Sequence, residues 1–184
     1  MIRVTGGEWK GQKLKTPAGR ATRPTPARVR ESLFDVLGAA VPGREFYDLY
    51  AGSGAAGLEA LSRGASRAVF VDSSHAAVVC LRDNIRRLCC EARSQCVTQR
   101  LPGWLRLALF HPQVPVVIFV DPPYEESLAE KTLEVLGEVE MPWRGSLCAV
   151  QTGKKTALPE SCGPWRLRKR YSHGDTGLWL FRAE

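Results

Sequence analysis

Short apolar runs alternate with segments of helical period along most of this chain, and the alternation predicts its architecture. Strands are expected over residues 45–50, 67–71, 96–99, 114–120 and 146–151, the fourth being the strongest because Val116-Val-Ile-Phe-Val120 is unbroken. Between them lie helical patterns over 55–62, 74–88, 103–110 and 127–136. The second carries Ala77, Val78, Leu81, Ile85 and Leu88 as an apolar stripe. Strand and helix in strict alternation imply a parallel sheet covered by helices on both faces. Two more strands, 165–171 and 178–182, joined by a Gly- and Asp-containing turn, close the chain as an antiparallel hairpin. Before the first strand, glycines punctuate residues 3–15 as in a small hairpin or extended arm. Thr25-Pro26 then supplies an N-cap and a proline at the first helical position. The run to Leu37 reads as an amphipathic helix with arginines on its polar side. The expectation is one α/β domain over 1–184, a mostly parallel seven-stranded sheet with a hairpin-plus-helix extension over 1–38.

Composition narrows the class. A chain of 184 residues with 44% hydrophobic content can bury a core of its own. Its longest apolar stretches are strand-sized, far short of a membrane span, and its opening lacks the apolar core of a leader, so a cytoplasmic protein is expected. The net charge of +7 is concentrated. Residues 1–30 hold eight bases (Arg3, Lys10, Lys13, Lys15, Arg20, Arg23, Arg28, Arg30) against Glu8, and the remaining chain is formally neutral. A basic extension on a neutral body suits a phosphate backbone, and Lys154, Lys155, Arg166, Arg168, Lys169 and Arg170 form a second basic cluster. The six cysteines show no Cys-x-x-Cys pair and no histidine at metal spacing, so free thiols and no metal are expected. Cys89-Cys90 reads as a helix end with one buried and one exposed thiol.

Chemistry is concentrated at two strand ends. Gly52-Ser-Gly54-Ala-Ala-Gly57 follows a strand and opens a helix, and Asp72 ends the next strand twenty residues beyond Gly52. That is the pattern of a Rossmann-like nucleotide site, in which a carboxylate receives both ribose hydroxyls. The loop alone fits a nicotinamide cofactor or S-adenosylmethionine (SAM) equally well. Asp48, inside the strand before the glycines, favours SAM, because a carboxylate is well placed beside a sulfonium or ammonium and poorly placed beside a pyrophosphate. At the other end, Asp121-Pro-Pro-Tyr124 follows the strongest strand. An exocyclic amine on a base ring is a weak nucleophile because its lone pair is delocalised. Acceptors aimed at its N–H groups, here the Asp121 carboxylate and the Pro122 carbonyl, favour the developing positive nitrogen of the transition state. Pro122 and Pro123 stiffen the turn, and Tyr124 offers a ring for stacking.

These motifs, together with Arg23-Pro-Thr-Pro-Ala-Arg-Val-Arg-Glu-Ser-Leu-Phe34, Gly57-Leu-Glu-Ala-Leu-Ser-Arg-Gly64 and the Gly6-Gly7-x-Trp9-x-Gly11 opening, resemble the RsmD family along nearly the whole chain. Members of that family methylate guanine N2 in 16S ribosomal RNA with SAM. The resemblance implies the SAM-dependent methyltransferase fold. It implies that Arg23, Thr25, Asp48, Ala51, Gly52, Ser53, Gly54 and Gly57 border the methionine and adenosine moieties, and Asp72 with Ser73 the ribose. Asp121, Pro122, Pro123 and Tyr124 would hold the guanine. Relatives commonly place an acid or amide after the third strand to receive the adenine amine. Here the chain reads Thr98-Gln99-Arg100, so Gln99 or a backbone carbonyl is left for that role, with Arg100 beside it as a further cofactor-binding candidate. Arg3, Lys10, Lys13, Lys15 and Arg28 are the expected RNA contacts, with 16S rRNA in an assembling small subunit as partner and neither a membrane nor an obligate protein partner implied. Two rivals stand beside this reading. A DNA adenine-N6 methyltransferase shares the Asp-Pro-Pro-Tyr motif but usually carries a target-recognition insertion. A nicotinamide-binding or non-catalytic nucleotide-binding protein would leave that motif idle.

Overall fold

The computed structural model describes residues 2–17, 27–107, 115–123, 127–139 and 144–184. A two-stranded antiparallel hairpin, β1 (Ile2–Arg3) with β2 (Lys13–Leu14), precedes helix α1 (Ala27–Leu37). The alternating region then runs β3 (Glu45–Leu49), α2 (Ala55–Ser62), β4 (Arg67–Asp72), α3 (His75–Arg87), β5 (Ser94–Thr98), α4 (Gly103–Leu107), β6 (Val117–Val120), α5 (Leu128–Glu138) and β7 (Leu147–Gly153). The C-terminal strands are β8 (Ser161–Cys162), β9 (Trp165–His173) and β10 (Thr176–Ala183). The expected starts of the first helix at Thr25-Pro26 and of the strong strand at Val114, and the end of the helix after Gly103, fall outside the described residues.

The sheet order is β5-β4-β3-β6-β7-β10-β9-β8, parallel from β5 to β7 and antiparallel beyond. Among the described residues it has eight strands rather than the expected seven. The extra one, β8, is a two-residue pairing across the Gly163-Pro164 turn, too short to leave an alternating pattern in the sequence. Side chains on β6 alternate between two cores. Val117 and Phe119 pack with α1, α2 and α3 through Leu33, Phe34, Leu58, Leu61 and Leu81. Ile118 and Val120 pack with α4 and α5 through Leu105, Leu133 and Leu136. A strand buried on both faces must be apolar throughout, which is why this segment reads as an unbroken run. No helix of the described residues is long and apolar enough to cross a membrane.

Helix boundaries follow local chemistry. Ser74, at the N-cap of α3, accepts the N–H of Ala77 at 3.3 Å, and Arg86 and Arg87 sit in the last turn, where the helix dipole favours cations. Gly64, at φ +96°, follows the C-cap of α2 in the left-handed conformation that ends helices.

One sequence expectation about the N-terminal region is corrected. Arg30 is not on the polar side of α1. It is buried, with Nε 3.4 Å from Glu59 Oε2 and Nη2 donating to the Arg3 carbonyl at 2.6 Å. The hairpin of the basic extension is present as expected and packs into the domain, with Ile2, Val4 and Leu14 part of the core under α1 and α2. Glu59, fully buried on α2, also accepts the Thr5 N–H at 3.2 Å, the Thr5 hydroxyl, and Arg63 Nη2 at 2.9 Å. One carboxylate thus ties together the hairpin, α1 and α2. Residue type suggests the polar side, but helical period sets Arg30 on the apolar face with Leu33, Phe34 and Leu37, and Glu59, 29 residues away, is the partner that lets its charge be buried there.

Candidate active site

The chain leaving β3 turns to the face carrying α2, and the chain leaving neighbouring β6 turns to the face carrying α5. That divergence opens a crevice at the carboxyl ends of the two strands, the place where open α/β sheets bind ligands. Ladder bonding carries both strands to its floor: Asp121 N donates to Leu49 O at 3.3 Å and Ala51 N to Val71 O at 3.0 Å. At its mouth Tyr50 holds φ +65°, uncommon for a bulky side chain and a mark of a position fixed by its surroundings. Its hydroxyl lies 2.7 Å from Thr132 Oγ1 on α5, which itself donates to Leu128 O, so Tyr50 is the donor. The end of β3 is thereby clamped to the helix that follows β6.

The three glycines of the loop do different work. Gly52, at φ +55°, would carry a Cβ into open space, so its freedom serves the turn and leaves room for a ligand. A Cβ on Gly54 would strike Leu81 of α3, and one on Gly57 would strike the Phe70 ring of β4. These two glycines therefore allow the start of α2 to lie against the sheet. Ser53 is buried, and its carbonyl accepts Asn84 Nδ2 at 3.0 Å. The same Asn84 side chain donates to the Lys15 carbonyl and accepts the Lys15 N–H, joining the hairpin to the glycine loop.

Carboxylates dominate the electrostatics. Asp72 Oδ2 accepts the Gly52 N–H and Oδ1 the Ser74 N–H, both at 2.8 Å, so this acid shapes the loop as well as facing the crevice. Each oxygen retains further lone-pair capacity. Asp48 is buried beneath the loop and accepts the Gly57 N–H at 2.8 Å in the first turn of α2. Burial pushes its carboxyl well above the usual range; the Gly57 bond opposes this, and the fields of Asp121 and Asp72 add to the rise. Three acids thus converge on one crevice, and the N-terminus of α2, where a nucleotide phosphate would otherwise sit, already faces a carboxylate.

Of the other sequence candidates, Ala51 is buried and Ser73 exposed beside Asp72. Gln99 and Arg100 are exposed after β5, with Gln99 N donating to Asp72 O at 3.2 Å. Pro122 and Pro123 continue from Asp121 along the crevice. Arg23, Thr25 and Tyr124 lie outside the described residues. Among the basic candidates, Arg3 donates to the Gly11 carbonyl and Lys15 pairs with Asp83 at 2.8 Å, while Lys10, Lys13 and Arg28 are exposed. Sequence reasoning gave no role to Tyr50, Glu59 or Asn84. The signals available were a tyrosine inside the glycine motif and polar residues at buried helical positions. Among the described residues no group of three or more His, Cys, Asp or Glu side chains is arranged to hold a metal ion. Cys90 is buried and Cys89 exposed, as expected of that helix end.

A family model described as Conserved hypothetical protein 95, that of the RsmD family, matches residues 2–182. The chain belongs to the RsmD family. Among its relatives, Ribosomal RNA small subunit methyltransferase D of Escherichia coli (strain K12) is 32% identical over all of this chain and 90% of that one. The protein of the same name from Haemophilus influenzae is also 32% identical, over 98% of this chain and 93% of that one. The solved structure of yhhF from Escherichia coli superposes with a TM-score of 0.86 at 32% identity, covering 100% and 98% of the two chains. An RNA methyltransferase from Salinibacter ruber, solved with S-adenosyl-L-homocysteine, shares the fold at a TM-score of 0.65 and 17% identity, over 88% of this chain and 94% of that one. The fold of this RsmD-family chain is that of the SAM-dependent methyltransferases.

Proposed function

We propose that this protein transfers a methyl group from SAM to the N2 amine of a guanine in small-subunit ribosomal RNA. The observation that carries the reading is the convergence of Asp48, Asp72 and Asp121, with Asp48 set against the first turn of α2. A pyrophosphate would add negative charge beside three acids and oppose ionisation of buried Asp48 further, whereas a cationic sulfonium or ammonium would favour its carboxylate. The residues present therefore fit SAM better than a nicotinamide dinucleotide. The names of the RsmD-family relatives support ribosomal RNA as substrate.

When bound, SAM supplies an electrophilic methyl group on a positively charged sulfur. Asp72 offers its remaining lone pairs to the ribose hydroxyls, held in orientation by its bonds to Gly52 and Ser74. Gly52 leaves space for the adenosine, and Asp48 would ionise against the cationic ligand. Asp121 and the Pro122 carbonyl accept the amine N–H groups and turn the nitrogen lone pair toward the methyl group. Positive charge developing on the amine nitrogen would be stabilised by Asp121, and the surplus proton would then leave to solvent. Tyr124, outside the described residues, keeps its sequence assignment as a stacking ring for the base. Exposed Lys10, Lys13 and Arg28, together with Arg3 and Lys15, attract the RNA backbone.

Asp121→Ala is expected to lower turnover on unmodified small subunits by roughly 100-fold or more while SAM affinity, read by calorimetry, stays within a few-fold. Near-normal turnover in that variant would move the chemistry to another pocket.

A further inference from the structure

Gln151 Oε1 is the one buried side-chain oxygen or nitrogen, among the described residues, that has no hydrogen-bond partner. Its residue is 4% exposed. A buried carbonyl without a donor is costly, and native proteins leave few of them without a functional reason. Its position supplies that reason. Val120 of β6 pairs with Val150 of β7, so Asp121 and Gln151 are the next residues along neighbouring parallel strands. Asp48, Phe119 and Ala149 share one register row, and Gln151, two residues past Ala149, falls on that same face of the sheet. The glycine loop and Asp72 lie toward β4, on the opposite side of β6. Gln151 therefore stands one strand beyond Asp121 on the side away from the cofactor loop, where a base presented to Asp121 would extend.

We infer that Gln151 is a base-selecting residue, its carbonyl reading the ring nitrogen next to the amine that Asp121 receives. The assignment rests on the guanine-N2 reading above and deepens it. In guanine, N1 beside the N2 amine carries a hydrogen, so the edge offers two adjacent donors. In adenine and cytosine the ring nitrogen beside the exocyclic amine is an acceptor. A carboxylate with a second acceptor next to it matches the first arrangement, while in the other two it sets acceptor against acceptor. The pairing of Asp121 with Gln151 thus selects guanine. The amide can rotate about its last torsion, but only the carbonyl orientation completes the guanine edge.

The test uses the full chain and an RNA in which the mapped target guanine is replaced by 2,6-diaminopurine, which keeps the N2 amine and turns N1 into an acceptor. Wild type is expected to prefer guanine by about tenfold or more. Gln151→Leu should lose most of that preference and Gln151→Glu, which keeps an acceptor, should retain it, with SAM affinity unchanged in both. Because Leu removes an unsatisfied carbonyl, the melting temperature of Gln151→Leu should equal or exceed that of wild type, an outcome opposite to that of a purely structural glutamine. Unchanged base preference in Gln151→Leu overturns the assignment. No methylation of guanine by wild type, with SAM still bound, overturns the guanine reading and this assignment with it.

Discussion

At the scale of single residues, Asp48 sets stability against function. Its folded carboxyl is held above the ordinary value mainly by burial. The native state therefore keeps this proton to higher pH than the unfolded chain does. The associated stability is complete below the unfolded carboxylate pKa of about 3.9 and is lost as pH rises through the folded value. Asp48→Asn keeps an oxygen for the Gly57 N–H but cannot ionise. Thermal melts from pH 4 to 8 should show the variant gaining on wild type as pH rises, and parallel curves would contradict the raised carboxyl. Its affinity for cationic SAM should fall by about tenfold at the alkaline end, equivalent to ~1.4 kcal/mol, because the charge that attracts the ligand is gone. Calorimetry at pH 5 and 8 separates the two effects. Stability and cofactor affinity should move in opposite directions, as expected where a buried acid is retained for its role in a site.

At the scale of elements, the hairpin, α1 and α2 behave as one packed unit centred on Glu59. Removing Glu59 strands the buried Arg30 guanidinium, and breaking a buried pair in this way costs about 3–5 kcal/mol. Glu59→Ala should show that loss in urea titrations, together with faster proteolysis of the hairpin. Arg63, the more exposed partner of the same carboxylate, should cost about 1 kcal/mol or less when changed to Ala. Equal costs for the two variants would show that the buried pair is not the anchor. Through Asn84, the same hairpin meets the glycine loop, so the N-terminal extension supports the crevice as well as facing solvent.

At the scale of the whole molecule, folding changes which positive charges are available to RNA. Arg30 is consumed by Glu59, Lys15 shares an exposed pair with Asp83, and Lys10 and Lys13 stand exposed on the hairpin. On β9, Lys169 and Arg170 are also exposed, with Arg170 lying 4.3 Å over the Trp179 ring and Arg168 paired to Glu184. Neutralising Lys10 and Lys13 should weaken RNA binding alike for all sequences. It should also flatten the log–log salt dependence by nearly one unit per lost phosphate contact. A salt titration with an unchanged slope would transfer the docking surface to β9. Neutralising Lys15 as well should lower stability through its pair with Asp83, so it is best left in place.

What the sequence determined by itself was local and periodic. Unbroken apolar strands, helical stripes, the glycine loop with Asp72 and the Asp121 turn all declare themselves within about twenty residues, because each depends on the conformation or spacing of a short segment. From these the parallel sheet, its antiparallel end and the location of the crevice follow. Tertiary structure decided whatever depends on a partner far along the chain. Arg30, inward-facing by helical period, keeps its charge there because Glu59 meets it, and the hairpin packs into the core because α2 receives it. That a Cβ on Gly54 or Gly57 would meet Leu81 or Phe70 is likewise visible only in the folded chain. Gln151 reads in sequence as an ordinary strand residue. Its missing partner becomes visible only once the strands are aligned and every other buried polar side-chain atom among the described residues has found one. Periodicity reports which side of an element faces inward, but the cost of burying a charge or an amide is set by what lies opposite, and that is a property of the folded chain alone.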